Sequence, residues 1–224
     1  MNKYLALFCS LPKSLYVCFR CFDFKTALRL PVIVSYRVRV NGISRGSFEF
    51  DGVSAKTGMV RLGISNGSYL KGKDMKSYLT FAPNSKIVIR GGVNVANNFA
   101  INIGDNGELI LGNKFSSNYD LTVSCGKRIE FGSDCLLGWH CTFIDGDGHS
   151  ILNSSGEVLN EPSDIKIGNH VWIASEATCL KGAKIEDGCV IGFVSTISSK
   201  ISKKRCVIAG TPAHIVKENV YWKQ

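Results

Sequence analysis

The sequence predicts a mainly β protein, a parallel β-helix built from hexapeptide repeats behind an N-terminal helix and strand cap. Three observations carry this. The C-terminal half repeats every six residues, a second block upstream has the same period, and the first 50 residues lack it.

The cap comes first. Residues 3–30 read as helical, with Leu15, Phe19 and Phe22 on one face and the pattern ending before Pro31. "VIVSYRVRV" then alternates like a strand, with Ser35, Arg37 and Arg39 on one side. Solenoid ends need covering, so residues 1–50 are expected to cap the open end. The alternative is that the apolar helix touches a membrane or an acceptor.

The solenoid is expected over residues 51–210. Read in sixes from Ile167, the first position holds Ile167, Ile173, Cys179, Ile185, Ile191 and Ile197. The fifth holds Val171, Ala177, Ala183, Cys189, Ser195 and Ile201. The block from Cys125 places Ile129, Cys135 and Cys141 at the fifth position. A looser block from Ile87 places Val93, Phe99 and Leu111 at the first, broken by Asp105. Each six supplies a short strand and a turn, and three sixes close one triangular coil. Stacked coils bury a core that one coil cannot bury alone. The period fails between about residues 144 and 165, where "DGDGHSILNSSGEVLNEPSD" reads as a loop expelled from a coil. Residues 211–224 form a tail.

Composition narrows the function classes. The net charge of +9 points to anionic partners, but Lys203-Lys204-Arg205 is too short for a nucleic-acid tail. No apolar run approaches the roughly 18 residues of a spanning helix, and the N-terminus lacks an A-x-A-like cleavage site. Of nine cysteines, five fall on inward positions and only Cys18 and Cys21 have C-x-x-C spacing. Reduced, buried thiols and a cytoplasmic setting are expected.

"FIDGDGHSI", residues 143–151, is the candidate site. It allows a metal site, a base or a turn. D-x-D-G is similar to a calcium loop, but the remaining ligand positions are missing.

"IKIGNHVWIASEATCLKGAKIEDGCVIGFVSTI" and "IAGTPAHIVK" resemble hexapeptide-repeat acyltransferases, specifically the O-acetyltransferases of bacterial capsule and lipopolysaccharide sugars, over about residues 125–217. The resemblance implies a left-handed β-helix, a homotrimer, and acetyl-CoA as co-substrate in clefts between subunits. It implies that His149 is the catalytic base in the "DGDGH" loop. Deprotonating a hydroxyl as it attacks a thioester suits a neutral imidazole, whose unperturbed pKa is about 6.5. Gly146 and Gly148 let the chain turn. Asp145 and Asp147 are expected to orient the ring or bind sugar hydroxyls. Trp139 and His140 are expected to line the same cleft, and Asp134 to lie near the acceptor.

The resemblance further implies cofactor contacts at Trp172, Ala174, Ser175, Gly192, Phe193, Ser198, Gly210, Thr211 and Pro212, with Lys200, Lys203 or Lys204 supplying charge for phosphates. His170 is expected at the surface, and the histidine gaps do not match a zinc site. The expected function is acetyl transfer to a hydroxyl of a surface-polysaccharide sugar or its precursor, with peripheral contact at the inner membrane face. The alternatives are N-acetyl transfer to an amino sugar or nucleotide sugar, and a non-catalytic scaffold. No nucleic acid and no metal are expected.

Overall fold

A computed structural model of the chain describes residues 3–64 and 76–223; residues 65–75 of the expected solenoid lie outside the described residues. Among the described residues, strands form three sheets of nine, seven and seven. Each coil gives one strand to each sheet. The first sheet runs from Val32–Val34 to Cys206–Gly210, with Ala213–Glu218 added antiparallel at its end. The second runs from Val38–Asn41 to Thr196–Ile197, and the third from Phe48–Phe50 to Lys200–Ile201. All other pairings between these strands are parallel. The fold is a left-handed β-helix, as expected.

Register shows how the repeat works. Trp172 pairs with Val190 and Thr178 with Thr196, so one coil advances by three sixes. The first-position residues Ile167 to Ile197 are buried, as are the fifth-position residues Val171 to Ser195. Earlier coils are wider. Val93 pairs with Phe115 and Ser116 with Leu136, and both steps are longer than three sixes. These coils enclose bulkier side chains: Phe131 lies edge-on to Phe115 and Phe143, with centroids 5.0 and 4.8 Å away. The extra residues sit in the corners. Asp105, which breaks the sequence period, is exposed in such a turn.

The solenoid opens at Val32 rather than after residue 50. Val32–Val34 pairs with Val60–Leu62, and Phe48–Phe50 with Lys86–Ile89. "VIVSYRVRV" is therefore two strands separated by a corner, where the Val38 amide donates to the Ser35 carbonyl (3.0 Å).

Two helices cover this coil: α1 (Lys3–Cys21), which continues through Pro12, and α2 (Phe24–Leu28). Asp23 caps α2 by accepting from the Thr26 amide. α1 satisfies the open strand edges with small polar groups. Ser14 Oγ accepts from the Val34 amide (2.9 Å), and Ser10 Oγ from the Tyr36 amide (3.2 Å). Lys13 Nζ donates to the Tyr36 and Val38 carbonyls at 2.7 and 2.6 Å. Phe22 does not share a face with Leu15 and Phe19. It is buried against Phe48 and Phe50, while they are exposed.

All nine cysteines are free, and eight are buried. Burial pushes the Cys125, Cys135 and Cys141 thiols up to about 12, which keeps them protonated packing groups.

Candidate active site

The loop that interrupts the repeat leaves the corner between the second and third sheets. Leu136 pairs with Trp172, so this coil holds six sixes where the regular coils hold three. The extra chain is closed at its base, where the Ser163 amide donates to the Asp145 carbonyl (2.9 Å).

Asp145 anchors the loop. Its side chain is fully buried and accepts three backbone N–H groups, from Gly126 (2.6 Å), Lys127 (2.9 Å) and Arg128 (2.8 Å). What acceptor capacity remains is closed off from solvent, so neither the His149 imidazole nor a sugar reaches this carboxylate. The expectation that Asp145 orients the ring or binds substrate is corrected: it is the loop's anchor.

Asp147 is exposed and accepts from Lys181 Nζ (2.5 Å) and Asn160 Nδ2 (2.8 Å). Lys181, then Asn160, holds its carboxyl below the usual carboxylate range. Asn160 is the residue that sequence reasoning missed. Its Nδ2 also donates to the His149 carbonyl (2.8 Å), and its Oδ1 accepts from the Ile151 amide (2.7 Å). One amide side chain thus fastens the backbone from the His149 carbonyl to the Ile151 amide. Only its place opposite "DGDGH" in the same loop hinted at this. Beyond it, Asn153 closes a small hairpin in which Leu152 bridges Val158.

The His149 imidazole is exposed and makes no hydrogen bond among the described residues. Its backbone is held and its ring is not. Gly148 has φ +76°, where a side chain is strained. Gly146 is constrained instead by Pro162, 3.3 Å from where a Cβ would sit. The loop walls a cleft of about 370 Å³ lined by Asn102, Ser124, Gly126, His149, Asn160 and Pro162.

The other expected site residues are spread over different corners. Trp139 and His140 lie between the first and second sheets, so within one chain they do not line the His149 cleft. His140 Nδ1 is 2.7 Å from Asp120 Oδ2. Asp134 and His170 lie at the third corner, 2.6 Å apart. The His170 ring stacks on Trp222 (4.2 Å, 8°), whose Nε1 donates to the His170 carbonyl (2.9 Å). Within one chain Asp134 therefore lies away from the His149 cleft, where it holds the histidine that anchors the C-terminal tail. His170 is half-buried rather than a plain surface residue. Trp172 is exposed on the first sheet, 6.2 Å from Trp222.

Most expected cofactor residues do come together, as rungs of one corner ladder between the first and second sheets. Ser175 Oγ accepts from the Trp139 amide (3.0 Å), the Ser175 carbonyl from the Val194 amide (3.2 Å), and the Val194 carbonyl from Thr211 Oγ1 (3.5 Å). Ala174, Gly192, Phe193, Gly210 and Pro212 belong to the same line, and the Thr211–Pro212 peptide is cis. The approach is close: a Cβ on Gly138 would fall 2.5 Å from the Ser175 nitrogen. Ser198 lies instead at the His149 corner, and Lys200 on the third sheet. Lys203 and Lys204 are paired with Glu218 (2.9 Å) and Asp187 (3.0 Å) at the third corner. They do not supply charge to this ladder.

No protein-family model matches the chain. A polysialic acid O-acetyltransferase of Neisseria meningitidis is 38% identical over 106 residues, 47% of this chain and 49% of that one. The chain thus spans about half the length of that relative. An uncharacterized 24.8 kDa protein from the cps region of Klebsiella pneumoniae is 26% identical over 92% of this chain and 88% of its own length. The crystal structure of the polysialic acid O-acetyltransferase OatWY superposes with a TM-score of 0.56 at 24% identity, covering 86% of this chain and 87% of that one. In sequence the chain is similar to hexapeptide-repeat acyltransferases, with polysaccharide O-acetyltransferases among its relatives, and it shares their left-handed β-helix.

Proposed function

We propose that the protein is an acetyl-CoA-dependent O-acetyltransferase acting on a hydroxyl of a surface-polysaccharide sugar or its precursor. The observation that carries this reading is His149, an exposed imidazole on a backbone fastened by Asp145, Asn160 and Lys181. Acetyl-CoA, when bound, supplies an activated thioester, so no covalent acyl-enzyme is needed. The His149 imidazole takes the proton of the acceptor hydroxyl as the oxygen attacks the carbonyl carbon, and returns it to the departing thiolate. Asp147 holds Lys181 and Asn160 rather than the ring, and so acts as a positioning residue.

The ladder from Ser175 to Thr211 fits an extended arm. It offers small residues, backbone groups at close approach, and an exposed Phe193. It runs along a different edge of the prism from His149. One chain therefore carries two half-sites, which supports a homotrimer in which His149 of one subunit faces the ladder of its neighbour. In the same reading the enzyme works beside a membrane, where lipid-linked precursors lie.

The test is His149→Ala in an acetyl-transfer assay against a glycan panel, read by mass. Transfer is expected to fall by about 10²- to 10⁴-fold with the melting temperature and acetyl-CoA binding retained. Unchanged transfer would falsify the mechanism, and no product with any glycan would favour a scaffold.

A further inference from the structure

The cap is amphipathic in an unusual sense. α1 turns its small and polar side toward the solenoid, burying Ser10, Ser14, Val17, Cys18 and Cys21. The opposite side, at helical spacing, is Leu5, Phe8, Pro12, Leu15, Tyr16 and Phe19. Phe8 is 71% exposed and Tyr16 56%, and α2 extends the patch with Phe24 (70%) and Leu28. Burying large aromatics inside and leaving serines outside would have stabilised a simple cap. This sequence does the reverse, and the result is an apolar patch on the outer side of the cap.

Charge gathers at the same end. Residues 1–64 contain ten of the 27 Lys and Arg but three of the 18 Asp and Glu, giving +7 of the net +9. The first 22 residues contain no acid at all. Arg20, Lys25 and Arg29 are exposed around the patch, beside Phe19, Phe24 and Leu28. No helix among the described residues is long and apolar enough to cross a membrane.

We infer that this end seats on an anionic lipid surface, with α1 lying in the interfacial plane. Aromatic and aliphatic side chains enter the headgroup and acyl boundary while flanking cations meet lipid phosphates. Charge complementarity selects the occupant. The same end of a second copy would set +7 against +7, whereas an anionic bilayer offers the opposite sign. The reading deepens the membrane-side setting proposed above but does not depend on acetyl transfer. In a cyclic trimer the three caps would share one end, so weak single contacts would add as avidity.

The experiment is co-sedimentation of the full chain with phosphatidylglycerol-containing vesicles and with purely phosphatidylcholine vesicles. The Phe8→Ser/Phe19→Ser double variant and an Arg20→Gln/Lys25→Gln/Arg29→Gln variant are run beside it. Circular dichroism melting and light-scattering mass are recorded for each. The expected result is binding to anionic vesicles that weakens in about 0.5 M salt, at least about tenfold weaker in either variant, with oligomer mass and melting unchanged. Acetyl transfer to a soluble glycan should be unchanged in both, which separates this inference from the catalytic one. Equal partitioning onto the two vesicle types, or no sedimentation, overturns it. So does a fall in oligomer mass in the serine variant, which would mean that another subunit covers the patch.

Discussion

Three of the four histidines stand at three different corners, and the loop corner differs from the other two in one respect. His140 and His170 occupy left-handed backbone positions, with φ +55° and +51°. Each has an aspartate from the preceding coil within 2.7 Å. Their rings are fixed by the stacking of the solenoid. His149 has its backbone fixed by Asn160 and its ring left unbonded among the described residues. The repeat uses histidine as a corner strut, and the loop takes histidine out of that use. His170 has both ring nitrogens occupied, by Asp134 and the Trp222 carbonyl, and His140 has one, by Asp120, while the His149 ring keeps both for a ligand from outside the chain.

That contrast is open to direct measurement. The largest effect belongs to His149→Ala, which should remove transfer, while His140→Ala should leave its chemistry in place in the same assay. Equal losses in both would erase the distinction. Next is Asp145→Ala, which leaves three N–H groups without their acceptor. It should cost about 2–4 kcal/mol in urea unfolding and free the loop to hydrogen exchange. Retained loop protection would show that the anchor lies elsewhere. Asn160→Ala should lower kcat about tenfold with KM for acetyl-CoA unchanged, because it releases the backbone around His149 without touching the corner ladder. A change in KM alone would argue for a binding role.

Acid should loosen the same tether. The Asp147 carboxyl is depressed by Lys181 first and Asn160 second. A depressed carboxylate contributes its stabilisation above the ordinary carboxylate range and loses it as pH falls through the lowered value. Loop protection factors, which divide out the intrinsic pH dependence of amide exchange, should therefore be flat across neutral pH and fall only in acid below about 4. A fall near pH 6 would point to a histidine instead.

The smallest effect concerns the third face. There Glu49, Lys86, Glu108 and Arg128 alternate in charge and pair. Lys166, Lys184 and Lys200 instead stack in direct register, with no ion pair among the described residues. Lys184→Glu should stabilise the fold by about 0.2–1 kcal/mol in urea unfolding. No gain would mean that solvent already screens the ladder.

The solenoid was legible because its period is covalent. Ile167 to Ile197 recur every six residues, and each lands in the core. The wider coils were harder to read, since added corner residues such as Asp105 shift the phase without changing which side chains face inward. The cap misled for a related reason. Periodicity showed that α1 has two faces but not which one docks, and Phe22 went inside while Phe19 stayed out. Asp145 and Asp147 look alike in "DGDGH". Only the neighbouring coil's free N–H groups at residues 126–128 set them apart.

The coil, its inward residues and the place where the coil is interrupted all follow from spacing along one chain, so they could be read before any contact was known. Tertiary structure decided which groups meet across coils: Asn160 around His149, Asp134 with His170, and the ladder from Ser175 to Thr211 on a different edge from the loop. Those contacts join residues far apart in the chain at a corner, and a corner's direction depends on every coil stacked beneath it.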